Sequence, residues 1–390
     1  MNKQERFFAL KISSIMATRM FGLFMIFPVF SVYATQYENT TPYLIGLAIG
    51  IYGLTQALLQ IPFGYLSDQY GRKPLLIFGL ILFFIGSVVA ANSTDILHVV
   101  IGRALQGGGA ISAVLMAFLA DFVSEDQRSK ANAFVGAQIG MAFMLSLLIG
   151  PMITVNLGIS GLFWVIAGLS IIALAIVITL PHVKPFAQYS LSIKSIQQVL
   201  NAQLIKLDFS VFTLHLILTC AFIVVPILLV ENNIVALNLE DNWTVYLPVM
   251  LLSFIGMLPM IIFAEKRYQH KRMILSAIMI MIISQILFYQ TQLTYTTFLI
   301  LLTLFFVAFN AMEAMLPSLV SKTANNEKRG LAMGMYSTSQ FLGAFVGGVF
   351  GGWIYNTFGL NSVFLFTTLI AIIWWVIMLT MQQHKPTGES

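Results

Sequence analysis

Charge is what this 390-residue sequence has least of: Asp, Glu, Lys and Arg make up 9% of it, against about 25% in a soluble domain. So few charges cannot cover a water-facing surface, which excludes a soluble globular chain. Cysteine is nearly absent. Cys220 alone, inside an apolar run, excludes an intrachain disulfide and a thiolate metal centre. There is no Gly-rich loop ending in Lys-Ser or Lys-Thr, so ATP is not expected as the energy source. No nucleophile–base pair or metal-ligand cluster stands out, so the chain is not expected to be an enzyme, and no cofactor is implied. The formal charge of +5 comes from short basic clusters between apolar runs, without a basic-aromatic patch, which argues against a nucleic-acid partner. The first apolar run lacks a small-residue cleavage site after it and reads as a retained span, not a signal peptide.

What fills the sequence instead is apolar residue, 58% of the chain. Apolar runs lie at 10–34, 43–66, 74–93, 96–120, 131–155, 160–181, 207–230, 243–264, 273–292, 295–318, 331–355 and 360–382. Each can cross the hydrocarbon as a helix, the form in which a segment satisfies its own backbone hydrogen bonds. The expected fold is therefore an all-α membrane protein of twelve spans. Of the twenty Lys and Arg, eighteen fall at the termini or in the loops after spans 2, 4, 6, 8 and 10; Arg19 and Arg103 lie within spans. The opposite loops hold Glu38, Asp95, Glu231, Glu240 and Asp241. The positive-inside rule then puts both termini in the cytoplasm.

Residues 182–206, with three lysines and Pro185, divide the chain into 1–181 and 207–390, two bundles of six spans. Ile193, Ile196, Leu200 and Leu204 recur at helical spacing, so this linker is either a simple tether or in part an amphipathic helix on the inner leaflet. Leu119–Ser124 and Leu316–Ser321 are similar and 197 residues apart, each ending an even-numbered span. Half-length symmetry is what a carrier built from two rocking bundles requires.

Four groups of residues carry mechanism. Gly64-Tyr-Leu-Ser-Asp68-Gln-Tyr-Gly71-Arg72-Lys73-Pro74 occupies the tight loop after span 2. Gly64 admits a close helix neighbour, Asp68 suits a helix N-terminus, Gly71 permits the turn, Arg72 offers a fork for a carboxylate, and Pro74 starts span 3. Arg103, with Gln106 one turn on, lies in span 4, where an arginine is costly unless it faces a partner or a cavity. Glu313 in span 10 and His215 in span 7 are ionisable groups deep in apolar runs. Glu313 is the candidate proton carrier and His215 its partner or alternative, unless His215 is an ordinary core histidine or Arg19 pairs permanently with Glu313. Gly343, Gly347 and Gly351 form a small-residue ladder in span 11 that suits it as the helix packed on Gly64.

The loop after span 2 resembles the signature of the major facilitator transporters. That resemblance implies that Gly64 and Asp68 meet the start of span 11 near Gly330. It also implies that Arg72 pairs with Asp121 at the end of span 4, as a cytoplasmic latch on the outward-open state. Gly102-Arg103-Ala104-Leu105-Gln106-Gly107 is similar to the motif of proton-coupled members, in which the arginine biases a nearby acid. Gly140, Ser146, Gly150 and Pro151 match the antiporter motif in part, with Ile139 and Thr154-Val155 departing from it. The stretches Gly50–Ala57, Ile61–Gly64, Phe309–Ala314 and Tyr336–Gly343 narrow the resemblance to the YajR-type branch of proton-coupled drug antiporters. That branch implies a bacterial inner membrane and exchange of protons for an extruded hydrophobic solute or drug. Small-molecule, proton and bilayer partners are expected, and a monomer. The branch's small cytoplasmic domain after span 12 is not expected here. Proton-coupled nutrient uptake is the alternative, and a non-transporting membrane sensor a more distant one.

Overall fold

The computed structural model describes residues 1–124, 127–181, 201–231, 241–290, 293–324 and 329–383. The chain forms two compact units, Met1–Leu191 and Ser192–Ser390. Among the described residues there is no sheet, only an isolated bridge between Glu38 and Asp95.

In the first unit, α1 (Lys3–Phe24) starts at an Asn2–Glu5 capping box and gives way near Pro28 to a short α2 (Phe30–Tyr33). Thr41 caps α3 (Pro42–Tyr70), whose first residue is a proline that needs no donor there. Gly71, with φ +93°, then turns the chain straight into α4 (Arg72–Ala91), so Pro74 sits in the first turn of span 3 and does not start it. Span 4 is broken: α5 (Ile96–Gly108) and α6 (Ser112–Phe122) flank a non-helical step at residues 109–111. Helix α7 (Arg128–Ile178) runs 51 residues, about 77 Å if straight, far longer than a bilayer core of about 30 Å. Gly158, at φ +69° and ψ 177°, divides it into spans 5 and 6.

The second unit holds α8 (Ala202–Glu231), α9 (Trp243–Lys266), α10 (His270–Gln290), α11 (Tyr295–Thr323), α12 (Arg329–Phe358) and α13 (Leu360–Leu379). These are spans 7 to 12. Span 7 begins earlier than expected, so Leu204 and Lys206 belong to it; Ile193, Ile196 and Leu200 of the linker lie outside the described residues. Ten described helices are long and apolar enough to cross a membrane by length and composition. The second leg of α7 and the 30-residue, glycine-rich α12 complete the twelve.

The surface is apolar and the interior partly polar, the reverse of a soluble protein. Leu58, Phe78, Ile172, Ile255, Leu369 and Ile373 are exposed, whereas Arg19, Gln56, Gln60, Arg103 and Gln106 are buried. That distribution suits lipid as the solvent, because polar side chains must then find partners inside.

Both units fasten their last span in the same way. Lys11 of α1 donates to the carbonyl of Thr179 at 3.3 Å, and Lys73 of α4 to those of Ile178 and Leu180 at 2.7 and 3.0 Å. In the second unit Lys206 of α8 donates to Thr380 and Lys271 of α10 to Leu379, each at 2.7 Å. An ammonium at a helix C-terminus satisfies carbonyls that lack intrahelical donors and meets the negative end of the dipole. The repeat is thus written in contacts as well as in sequence.

Candidate functional site

Three clusters carry the candidate chemistry. At the α3–α4 turn, Arg72 is the hub. Its Nε donates to Asp121 Oδ2 at 2.9 Å, its Nη1 donates to Ser67 Oγ at 2.7 Å, and it forms an ion pair with Asp68. Ser67 passes the chain of bonds on to the Gly64 carbonyl at 2.7 Å. One guanidinium therefore ties the end of α3 to the end of α6, the Arg72–Asp121 pairing that the family pattern implies. Gly64 faces the Ala113 methyl, 3.9 Å from where a Cβ would stand.

The second cluster is the polar heart of the same unit. Arg103 Nη1 donates to Gln106 Oε1 at 2.7 Å and its Nε to the Ala48 carbonyl at 3.3 Å. Gln106 in turn donates to Ser87 Oγ at 2.8 Å. Arg19 donates from Nη1 to Ser112 at 2.9 Å and from Nη2 to Gln56, which donates to Gln60 at 3.2 Å. Both guanidinium groups lie over the Tyr52 ring, at 5.0 Å for Arg103 and 5.6 Å for Arg19. The partners the structure shows for Arg19 are an amide, a hydroxyl and a ring. Arg103 Nη2 and Arg19 Nε are buried with no hydrogen-bond partner among the described residues.

The third cluster joins α8, α11 and α12. His215 Nδ1 stands 3.1 Å from the Val211 carbonyl, which can only accept, so Nδ1 carries a proton. Its Nε2 lies 2.8 Å from Gln340 Nε2 and 3.2 Å from Glu313 Oε1. The amide donates to a neutral ring at Nε2, and the carboxyl beside it can deliver or take a proton at the same atom. The His215 ring also meets Phe309 edge-on at 5.8 Å. Glu313 keeps 32% of its side-chain surface open, against 13% for His215, while its Oε1 is buried.

The remaining predicted residues are scaffolding. Gly150 abuts the Met25 carbonyl, 2.5 Å from where a Cβ would sit; Ser146 bonds its own helix at Phe143, Pro151 follows within α7, and Gly140 faces open space. The ladder Gly343–Gly347–Gly351 meets Phe212, Leu216 and Cys220 of α8. The reason is register: glycines four apart share one helix face, and that face is filled by the first helix of the same unit. Two residues escaped sequence reasoning. Gln340 is uncharged and so inconspicuous, and Asp208 stood at the edge of a span expected to start at 207, whereas α8 starts at Ala202.

Residues 12–324 and 209–390 match the profile of the Major Facilitator Superfamily. The chain belongs to that superfamily. It is 41% identical to the inner membrane transport protein YajR of Escherichia coli over 95% of this chain and 82% of that one. It is 37% identical to a transporter of Buchnera aphidicola over 89% and 90% of the two chains. Among solved structures it is similar to a D-xylose–proton symporter (TM-score 0.76, 17% identity, 97% of this chain and 98% of that one). A bacterial homologue of the human lysosomal transporter Spinster superposes with TM-score 0.79 at 13% identity, over 97% of each chain. This major facilitator protein is accordingly a multi-pass membrane transporter of small molecules and not an enzyme.

Proposed function

We propose that this transporter exports a small hydrophobic organic solute or drug in exchange for protons across a bacterial inner membrane, with both termini cytoplasmic. Residues 1–181 and 207–390 act as the two rocking halves and 182–206 as their tether. The observation that carries the reading is the Glu313–His215 contact of 3.2 Å, with Gln340 on the same ring nitrogen. Protonation of Glu313 from outside neutralises a carboxylate in a low-dielectric setting, which favours closing outward and opening inward. Release of that proton to the cytoplasm, with solute bound, returns the carrier. When His215 takes a proton at Nε2 it can no longer accept from Gln340, so the amide must turn and present its oxygen. Proton transfer thus becomes a change in contact between α8 and α12.

Asp68, Arg72 and Asp121 serve as the cytoplasmic latch. Arg103 and Arg19 set the field in which the first unit binds its share of the solute. The proton gradient, at about 2.3 kcal/mol per charge per 100 mV, supplies the energy without ATP or a cofactor, and one chain suffices. Ile139 and Thr154-Val155, which depart from the antiporter motif, keep proton-linked uptake as the second reading.

Proteoliposomes holding a pH dye decide between the two. Adding a hydrophobic cationic dye to the side corresponding to the cytoplasm should drive protons toward that side if the carrier exports, and away from it if it takes solute up. Glu313→Gln should abolish proton movement while dye still binds. Unchanged proton flux in that variant removes Glu313 from the mechanism.

A further inference from the structure

Span 4 breaks in the interior of the first unit, and two buried arginines stand at the break. Helix α5 ends at Gly108, the amides of Ala110 and Ile111 turn back to the Gly108 and Gly109 carbonyls at 2.9 and 2.8 Å, and α6 begins at Ser112. No proline in residues 96–122 forces this step. The first turn of α6 therefore brings backbone N–H groups without intrahelical acceptors, and the positive end of a helix dipole, into the middle of a span. Arg19 Nη1 donates to Ser112 Oγ, on the first residue of that turn, at 2.9 Å, and Arg103 is bonded at 2.7 Å to Gln106 in the last turn of α5. The two guanidinium groups share the Tyr52 ring, at 5.6 and 5.0 Å from its centre. Both side chains are buried, and Arg19 Nε and Arg103 Nη2 have no hydrogen-bond partner among the described residues.

Every partner shown for these two cations is neutral. The described carboxylates of the first unit are Glu5, Glu38, Asp68, Asp95 and Asp121, all near helix ends or in connecting segments. Glu5 caps α1, Asp95 caps α5, and Asp68 and Asp121 hold Arg72. A guanidinium does not give up its proton in a protein, and a buried charge without a counter-charge is costly. Two like charges on one ring beside a helix N-terminus make a field that an anion relieves, and broken membrane helices serve anionic groups in this way.

We propose that the break in span 4 binds a monovalent anion, held by Arg103 Nη2 and Arg19 Nε beside the first turn of α6. Its chemistry is a small anionic acceptor, either a halide from solution or the carboxylate of a transported solute. The inference deepens the reading of these arginines as part of the solute site and does not depend on Glu313. A halide there also lowers the repulsion that a cationic solute meets from the arginines.

Thermal unfolding of the detergent-solubilised full chain tests this, with sodium chloride titrated in one arm and sodium benzoate in the other. A ligand of the folded state raises the midpoint along a saturating curve. Saturation by chloride assigns a halide site, and saturation by benzoate alone assigns the acidic group of a solute. Arg103→Gln and Arg19→Gln should each raise the half-saturating concentration about tenfold or more, as loss of a charge-assisted hydrogen bond does. A rise that stays linear in both salts, or a saturating one that both variants keep unchanged, overturns the site. Should the variants not fold, wild-type crystals with bromide or 4-bromobenzoate decide. An anomalous bromine peak beside Arg103 and Arg19 supports the site, and a peak in neither crystal overturns it. Proton flux through Glu313 is read by its own variant, so the failure of either idea leaves the other standing.

Discussion

An arginine inside an apolar helix is legible at once, because nothing around it in sequence explains its charge; the groups that hold it are not. Arg103 was a candidate from its place in span 4, yet its stability depends on Gln106, Ser87 and the Ala48 carbonyl, brought together from three helices. Gln106→Leu strips Arg103 Nη1 and Ser87 of a shared partner and should cost about 1–3 kcal/mol, the usual penalty for an orphaned buried polar group. A thermal-unfolding series in detergent checks it, and a midpoint equal to wild type would show the network to be dispensable. At the opposite, acidic loops, Asp95 is held below its ordinary range, first by the Asn39 side-chain amide and then by the Leu97 backbone N–H. A depressed carboxyl stabilises the fold above its unfolded value of about 3.9 and loses that contribution as pH falls through its folded value. Asp95→Asn should therefore flatten the acid limb of the stability profile below about pH 4 and lower stability at neutral pH, where the carboxylate's contribution is present.

Helices locate themselves through their spacing, so spans and the glycine ladder were readable, but the partner of a face is not a property of one helix. On α12 the ladder is close enough to α8 that a Cβ at Gly347 would overlap the Leu216 carbonyl and one at Gly343 that of Phe212. Gly347→Val should push the two helices apart and cost about 1–3 kcal/mol or more, as overpacking does. Gly140→Ala, with open space around it, should be neutral. Equal effects of the two on unfolding would refute the ladder as a structural contact. Because α8 and α12 also carry His215 and Gln340, the same substitution should weaken transport more than the stability loss alone explains. The breaks in α1–α2 and α5–α6 escaped notice, since apolar composition continues through them and only the backbone departs from helix.

Across the whole chain, the charge alternation predicts that reagents on the cytoplasmic side reach the loops at Arg72, Lys130 and Lys271. Single-cysteine labelling in a Cys220→Ser background checks it. Modification from the outer side at Lys271 would invert the topology and with it the assigned direction of proton flow. The matching lysine clamps on α7 and α13 make a second test of the internal repeat. Lys73→Met and Lys271→Met should destabilise their own units by similar amounts, about 1 kcal/mol each for a partly exposed helix-end contact.

Composition and the spacing of charge determined by themselves that this is a twelve-span membrane protein, because hydrocarbon imposes the same demand on every crossing segment whatever its neighbours. Motif residues named the Arg72 turn, Arg103 and Glu313 for a related reason: a charge among apolar residues must have a use. Tertiary structure alone decided which groups meet. His215 faces Gln340 and Glu313, and the ladder serves α8. Contact between helices depends on rotation about each axis, which the packing of the whole bundle sets and no single segment encodes.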